Sequence, residues 1–167
     1  QADTISKNEE NNTIRAEGNV NITNNQYKLK ANEITYYLKE KKVFAKGNVI
    51  IIEKNKNVIY ATEAELSSDL KSNFIKNIGV LLSDNSRLAA NSAKSIKEAD
   101  KTIYNNVVFT KCKSCKERTN KSIMWKLKAK KATHLKKSKI ILYESVFLEA
   151  FNIPILFVPI FYHPDPS

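Results

Sequence analysis

The chain holds three glycines, and they recur at nearly constant spacing. Gly18 sits in Ile14-Arg15-Ala16-Glu17-Gly18-Asn19-Val20-Asn21-Ile22, and Gly47 in Val43-Phe44-Ala45-Lys46-Gly47-Asn48-Val49-Ile50-Ile51. Gly79 sits one place later in Phe74-Ile75-Lys76-Asn77-Ile78-Gly79-Val80-Leu81-Leu82. By subtraction the spacings are 29 and 32 residues. A period of that size marks stacked supersecondary units, none of which can bury its apolar face alone. The function is therefore expected on a long stacked surface, not on a single catalytic loop.

A second motif follows each glycine unit by about a dozen residues. It reads Leu29-Lys30-Ala31-Asn32-Glu33-Ile34, Ile59-Tyr60-Ala61-Thr62-Glu63-Ala64, Leu88-Ala89-Ala90-Asn91-Ser92-Ala93 and Leu127-Lys128-Ala129-Lys130-Lys131-Ala132. Within units the alternation has period two: Ile14, Ala16, Val20 and Ile22 share one parity, and Arg15, Glu17, Asn19 and Asn21 the other. Alternate residues of a pleated strand face opposite ways, so these are half-buried strands. Polar clusters at 40–42, 54–57 and 83–86 read as turns. The expectation is about ten to twelve strands of about seven to nine residues and no helix. The repeated inward alanine has two readings, tight packing between facing strands or room for something apolar.

Charge is unevenly placed. The chain has 28 basic and 17 acidic residues, a net +11. Twelve of the bases and one acid, Glu117, lie in 111–139, leaving 16 of each sign (28 less 12, 17 less 1) elsewhere. Such a segment favours phosphate-bearing partners: nucleic acid, anionic lipid headgroups or phosphorylated glycolipid. The plainer reading is solvated lysine in a chain rich in Lys, Asn and Ile. Nucleic acid is the weaker partner: few aromatics interleave with the lysines, only three arginines exist, and no recognition motif is present.

Cys112-Lys113-Ser114-Cys115 is the one cysteine pair. A redox site expects this spacing at a helix start in a βαβ unit. A zinc site needs two more ligands, and His134 and His163 are the only histidines, with no finger-like spacing. The third reading, the one favoured, is a disulfide in an oxidising compartment, closed within the pair or to a segment elsewhere. No phosphate loop, nucleophile elbow or metal triad appears, so the chain is read as a non-enzyme with no cofactor and no metal. Glu33 and Glu63 recur with the repeat and read as architectural.

All four prolines fall at the end, in Pro154-Ile155-Leu156-Phe157-Val158-Pro159-Ile160-Phe161-Tyr162-His163-Pro164-Asp165-Pro166. Proline removes a ladder donor, so this segment reads as a departing edge strand. The apolar run 146–162 is too short and too interrupted for a membrane-spanning helix. The terminal run resembles the join between periplasmic domain and membrane barrel in the LptD family of lipopolysaccharide-assembly proteins, also called organic solvent tolerance proteins. The order Cys-x-x-Cys, Trp125-Lys126-Leu127-Lys128-Ala129, His134 and a strand at 140–148 resembles the alphaproteobacterial kind. The repeats at 14–110 look like the OstA-like module of that pathway.

The resemblance implies an all-β fold: an open, twisted β-jellyroll of two antiparallel sheets built from repeated strand pairs. It implies a polar leader at 1–12, the jellyroll at 13–152, and a proline-rich exit at 153–167 towards an outer-membrane barrel lying outside this chain. It implies a module on the periplasmic face of the outer membrane that takes the acyl chains of lipopolysaccharide from an LptA-like bridge protein and passes them to its own barrel and plug lipoprotein. The bridge protein is expected to pair with the edge at 14–22. An apolar groove is expected from Ile14, Ala16, Val20, Ile22, Leu29, Ala31, Ile34, Val49, Ile59, Ala61, Val80, Leu88, Ala90, Trp125, Leu127 and Ala129. Lys126, Lys128 and Lys130 are candidate phosphate contacts, and Cys112 and Cys115 the disulfide candidates. No signal peptide is visible at Gln1, so either one was removed or this sequence starts after it. The alternatives are a free-standing bridge protein of the same fold, a solenoid carbohydrate enzyme, for which acids and arginines on successive turns are wanting, and a basic module for anionic surfaces or nucleic acid.

Overall fold

The computed structural model describes residues 1–23, 27–54, 56–67, 73–96, 99–111 and 124–165. These form eleven strands and no helix: β1 Thr4–Asn8, β2 Thr13–Thr23, β3 Tyr27–Tyr37, β4 Lys42–Glu53, β5 Val58–Ser67, β6 Asn73–Leu81, β7 Arg87–Ile96, β8 Lys101–Thr110, β9 Trp125–Leu135, β10 Ile140–Ala150 and β11 Ile153–Pro164. Each strand pairs antiparallel with its neighbours in sequence, in one unbroken hydrogen-bonded order from β1 to β11. The ladder does not close, so β1 and β11 are its two free edges. The all-β, antiparallel, open architecture agrees with expectation. Most strands are longer than expected because each contains a corner.

The corners explain the repeat. In β2, β4, β6, β8 and β10 one residue takes a left-handed backbone: Asn19, Asn48, Asn77, Asn106 and Ser145, with φ of 47, 48, 49, 51 and 54°. Asparagine tolerates this region far better than most residues with a Cβ. The first four corners are spaced by 29 residues each, by subtraction. In β2 and β4 a glycine precedes the corner, Gly18 and Gly47 at φ 74°, and two residues oppose one on the next strand. Such a bulge bends its strand. From β6 onward a single residue makes the corner, so glycine is no longer needed. Gly79 is therefore no corner at all: its φ is not positive, and Asn77 holds the equivalent place.

Each strand after β1 thus has two legs, and the apolar-x-Ala-x-x-apolar motif reads the break between them. Ala31 and Ile34, Ala61 and Ala64, Ala90 and Ala93, and Ala129 and Ala132 all face inward across a corner residue, interrupting period two. On one side of the corners the register runs Val20, Ala31, Val49, Ala61, then Ile78, Ala90, Val107, Ala129 and Val146. On the other it runs Ala16, Ile34, Ala45, Ala64, Ile75, Ala93, Tyr104, Ala132 and Tyr143. The ladder folds along this line into two facing layers, A and B, named in that order. Near the crease the side chains converge, and the small residues fit there: Ala45 and Ala132 are 0% exposed and Ala64 and Ala93 1%. The alanines pack the crease tightly, and the open space lies further out.

On the outer face a charge row runs beside the corners. Arg15 meets Glu17 at 2.7 Å and Glu33 at 3.1 Å, Lys76 meets Glu63 at 2.9 Å, and Lys131 meets Glu144 at 2.8 Å. Glu33 and Glu63 are architectural, as their recurrence suggested. Asn19, Asn48 and Asn77 each donate their side-chain amide across to the preceding strand, to Asp3, Asn32 and Thr62.

Two expectations need correction. The 14–22 segment is not a free edge: β1 pairs with it from Thr4 opposite Glu17 to Asn8 opposite Thr13, and Gln1 and Asn21 exchange backbone bonds beyond that. The 1–12 leader therefore contains a strand, Thr4–Asn8, and the free N-terminal edge is β1. The 153–167 exit segment begins as β11, which pairs with β10 from Ile153 opposite Ala150 to Pro164 opposite Ile140. Its prolines sit on an edge, where a lost donor costs least.

Candidate functional site

The two layers diverge away from the crease and leave a groove in two chambers. The first, about 360 Å³, lies between layer A of β4 to β7 and layer B of β6 to β11. Its wall in layer A carries Ile59, Val80, Leu82 and Leu88, and its wall in layer B Ile75, Ala93, Tyr104 and Ile141. The second, about 550 Å³, lies between Phe109, Trp125, Leu127 and Leu148 of layer A and Phe161, His163 and Pro164 at the end of β11. Asp165 lines both chambers and marks their junction. Both volumes fall in the range of about 300–1,000 Å³ typical of small-ligand sites.

Position in the fold makes these walls. The layer A row two residues beyond the crease pairs Ile59 with Val80, Val80 with Leu88, Leu88 with Phe109, and Phe109 with Leu127. Period two puts all of them inward, and the bend at the corner tilts them towards layer B. The matching layer B row is polar in its second half: Asn73, Ser95, Thr102 and His134 lie in register. Thr102 donates its hydroxyl to Ser95 at 3.4 Å. The groove is thus apolar on one wall and amphipathic on the other.

Aromatic rings hold the layers together between the chambers. The Phe109 ring of layer A lies 5.1 Å from that of His163, which stacks on Tyr143 at 5.5 Å. Tyr143 Oη and His163 Nε2 are 3.0 Å apart, and His134 Nε2 lies 2.7 Å from Asp165 Oδ2. Burial pushes the Tyr143 hydroxyl well above the ordinary phenol range, with the nearby Tyr104 and Asp165 adding to it. Tyr104 is raised likewise, first by burial, then by the charges of Glu53 and Asp165. Both phenols stay neutral hydrogen-bonding groups throughout the physiological range.

The structure distributes the expected groove residues as follows. Ile59, Val80 and Leu88 line the first chamber, and Trp125 and Leu127 the second. Val20, Leu29, Ala31, Ile34, Val49, Ala90 and Ala129 are buried in the core. Ile14, Ala16 and Ala61 are half-buried, and Ile22 is exposed at the end of β2. Sequence reasoning missed Phe109, Leu148, Tyr104 and the histidines' place in the groove; the strand pattern of 102–109 and 140–148 carried the signal for the first three. Lys126 and Lys128 lie on the outer face and both hold Glu149, at 3.2 and 2.8 Å; Lys126 also donates to Asn152 at 2.6 Å. Lys130 is exposed opposite the corners of β8 and β10. Cys112 and Cys115, with the basic residues Lys113, Lys116, Arg118 and Lys121, lie outside the described residues.

No family model and no curated protein matches the sequence. Among solved structures, the chain is similar to the crystal structure of LptH of Pseudomonas aeruginosa, described as the LptA-homologous periplasmic component of the lipopolysaccharide transport device. The match covers 99% of this chain and 93% of that one, at 12% identity and a TM-score of 0.33.

Proposed function

We propose that this chain is a non-enzymatic lipid-carrying module that holds the acyl chains of lipopolysaccharide in the groove between its two layers. The observation that supports the reading is the groove itself: two chambers in series, walled by inward Ile, Leu, Val and Phe, in a ladder that never closes. An open ladder leaves a slot through which a chain can slide with its headgroup outside. The terminal motif at 154–166 supports the finer reading, a periplasmic LptD-type domain that receives lipid from an LptA-like bridge and delivers it to a barrel at the outer membrane. One observation favours the alternative of a free-standing periplasmic bridge: both ends of the ladder are open edges, as a link between two neighbours requires.

Trp125 is the only tryptophan and lines the second chamber, so it reports occupancy. A brominated fatty acid is expected to quench Trp125 saturably, and Leu148→Glu is expected to abolish the quenching while the β signal in circular dichroism is retained. Lack of saturable quenching in the folded protein refutes the acyl groove. To separate the two finer readings, the β1 edge is blocked with Ser6→Pro and the protein is offered an LptA-like partner. An LptD-type domain loses its docking; a bridge keeps a second contact through β11.

A further inference from the structure

The first chamber has a charged mouth. Glu53 and Asn57 stand on its layer A side, and His134, Lys136, Lys139 and Asp165 on its layer B side. The two carboxylates are engaged: Asp165 with His134 at 2.7 Å, and Glu53 accepting from the Asn57 amide at 3.3 Å. The Asp165 backbone N–H also donates to the Lys139 carbonyl at 2.9 Å, which fixes this corner of the mouth. Lys136 and Lys139 are exposed and make no side-chain ion pair among the described residues. The contrast within one strand pair is sharp: Lys126, Lys128 and Lys131 all hold glutamates on the outer face, while the lysines of the β9–β10 turn hold none.

From this arrangement we infer that Lys136 and Lys139 form the seat for the anionic group of an amphiphile whose alkyl chain occupies the first chamber. The inference rests on the acyl-groove reading and adds the headgroup to it. Chain and charge are matched in space: the apolar wall of Ile59, Val80 and Leu88 and the two lysines, Lys136 and Lys139, line one chamber. A cleft with low-dielectric walls focuses the field of such charges on an entering anion. Lysine acts here as a point charge on phosphate, without the geometric demand of an arginine fork. The backbone bond between Lys136 and Asp100, 3.1 Å from nitrogen to oxygen, holds the main chain of the turn in place.

The test uses the whole chain and three probes: dodecyl phosphate, uncharged dodecyl maltoside and inorganic phosphate, each titrated by calorimetry. Dodecyl phosphate is expected to bind more tightly than dodecyl maltoside, and inorganic phosphate at least about tenfold more weakly than dodecyl phosphate, since it lacks the chain. Lys136→Gln with Lys139→Gln is expected to weaken dodecyl phosphate about tenfold while leaving dodecyl maltoside unchanged, as the loss of two partly exposed charge contacts implies. Lys94→Gln, at an exposed outer position of β7, is expected to change neither. Unchanged dodecyl phosphate affinity in the double variant overturns the seat while dodecyl maltoside binding keeps the groove. An equal loss for both amphiphiles overturns it too, by showing that the lysines merely support the fold. Inorganic phosphate binding as tightly as dodecyl phosphate means a free-anion site and overturns the amphiphile. Failure of both amphiphiles to bind the wild-type chain removes the groove reading and the seat together.

Discussion

Replacing the glycines one at a time by alanine separates a corner from a look-alike. At Gly47 the backbone is left-handed, φ 74°, and an added Cβ would lie 2.9 Å from Asn32 Nδ2 and 3.1 Å from Asn32 Cβ. A left-handed residue with a Cβ costs about 1–2 kcal/mol. Displacing the Asn32 side chain also disturbs its 3.5 Å bond from Asn48, an exposed contact worth at most about 0.5 kcal/mol. The expected cost of Gly47→Ala is about 2 kcal/mol. At Gly79 the backbone is not left-handed and an added Cβ meets nothing within 4 Å. Gly79→Ala reduces the freedom of the unfolded chain without strain and is expected to stabilise by about 0.5 kcal/mol. Urea denaturation followed by circular dichroism reads both, as midpoint shifts of opposite sign at equal slope. Equal destabilisation by the two substitutions would refute the assignment of the corner to Asn77.

Further outcomes are expected elsewhere in the fold. Asn77→Val puts a β-branched residue at φ 49° and loses the 3.2 Å bond to Thr62, so it should cost about 2 kcal/mol, against at most about 1 for Asn77→Gly, both read from urea midpoints. Leu66→Ala, at a side chain 1% exposed, should cost about 2–5 kcal/mol in the same assay. Hydrogen bonding to Lys128 and then Lys126, against the opposing effect of burial, holds the Glu149 carboxyl below its ordinary 4.5. Its contribution is therefore full above the ordinary value and is lost as pH falls through the depressed one, so Glu149→Gln should destabilise at pH of about 7 and be nearly silent at about 2. An equal penalty at both pH values would contradict this.

Much of this architecture is legible in the residues, and the misses have physical causes. Gly18 and Gly47 mark true corners because the two-residue bulges of β2 and β4 take left-handed backbone at both positions, one held by glycine and one by asparagine. Gly79 misleads because glycine also serves in ordinary strand. The better signal was the asparagine at 19, 48, 77 and 106, one residue type at constant spacing and tolerant of the required backbone. The repeated alanine was legible as inward-facing. Its role at the crease was not, because convergence of side chains appears only once the ladder folds. β1 was missed because Thr4–Asn8 carries one apolar residue, Ile5, and its five positions are all exposed; backbone pairing holds it, and composition does not show that. The lysines of β9 and of the β9–β10 turn looked alike in sequence. Only the register, which sets Lys126 opposite Glu149, divides those on the outer face from those at the cleft mouth.

The central claim is that lipid lies between the layers. Site-specific photo-crosslinking to lipopolysaccharide tests it most directly, with the crosslinker at Ile59 and Leu82, partly open residues on the chamber wall, and at Thr62 and Asn91, exposed on the outer side of the crease. The account predicts lipopolysaccharide adducts at Ile59 and Leu82 and none at Thr62 or Asn91. Adducts at the outer positions alone, in a chain that keeps its β fold, would contradict it.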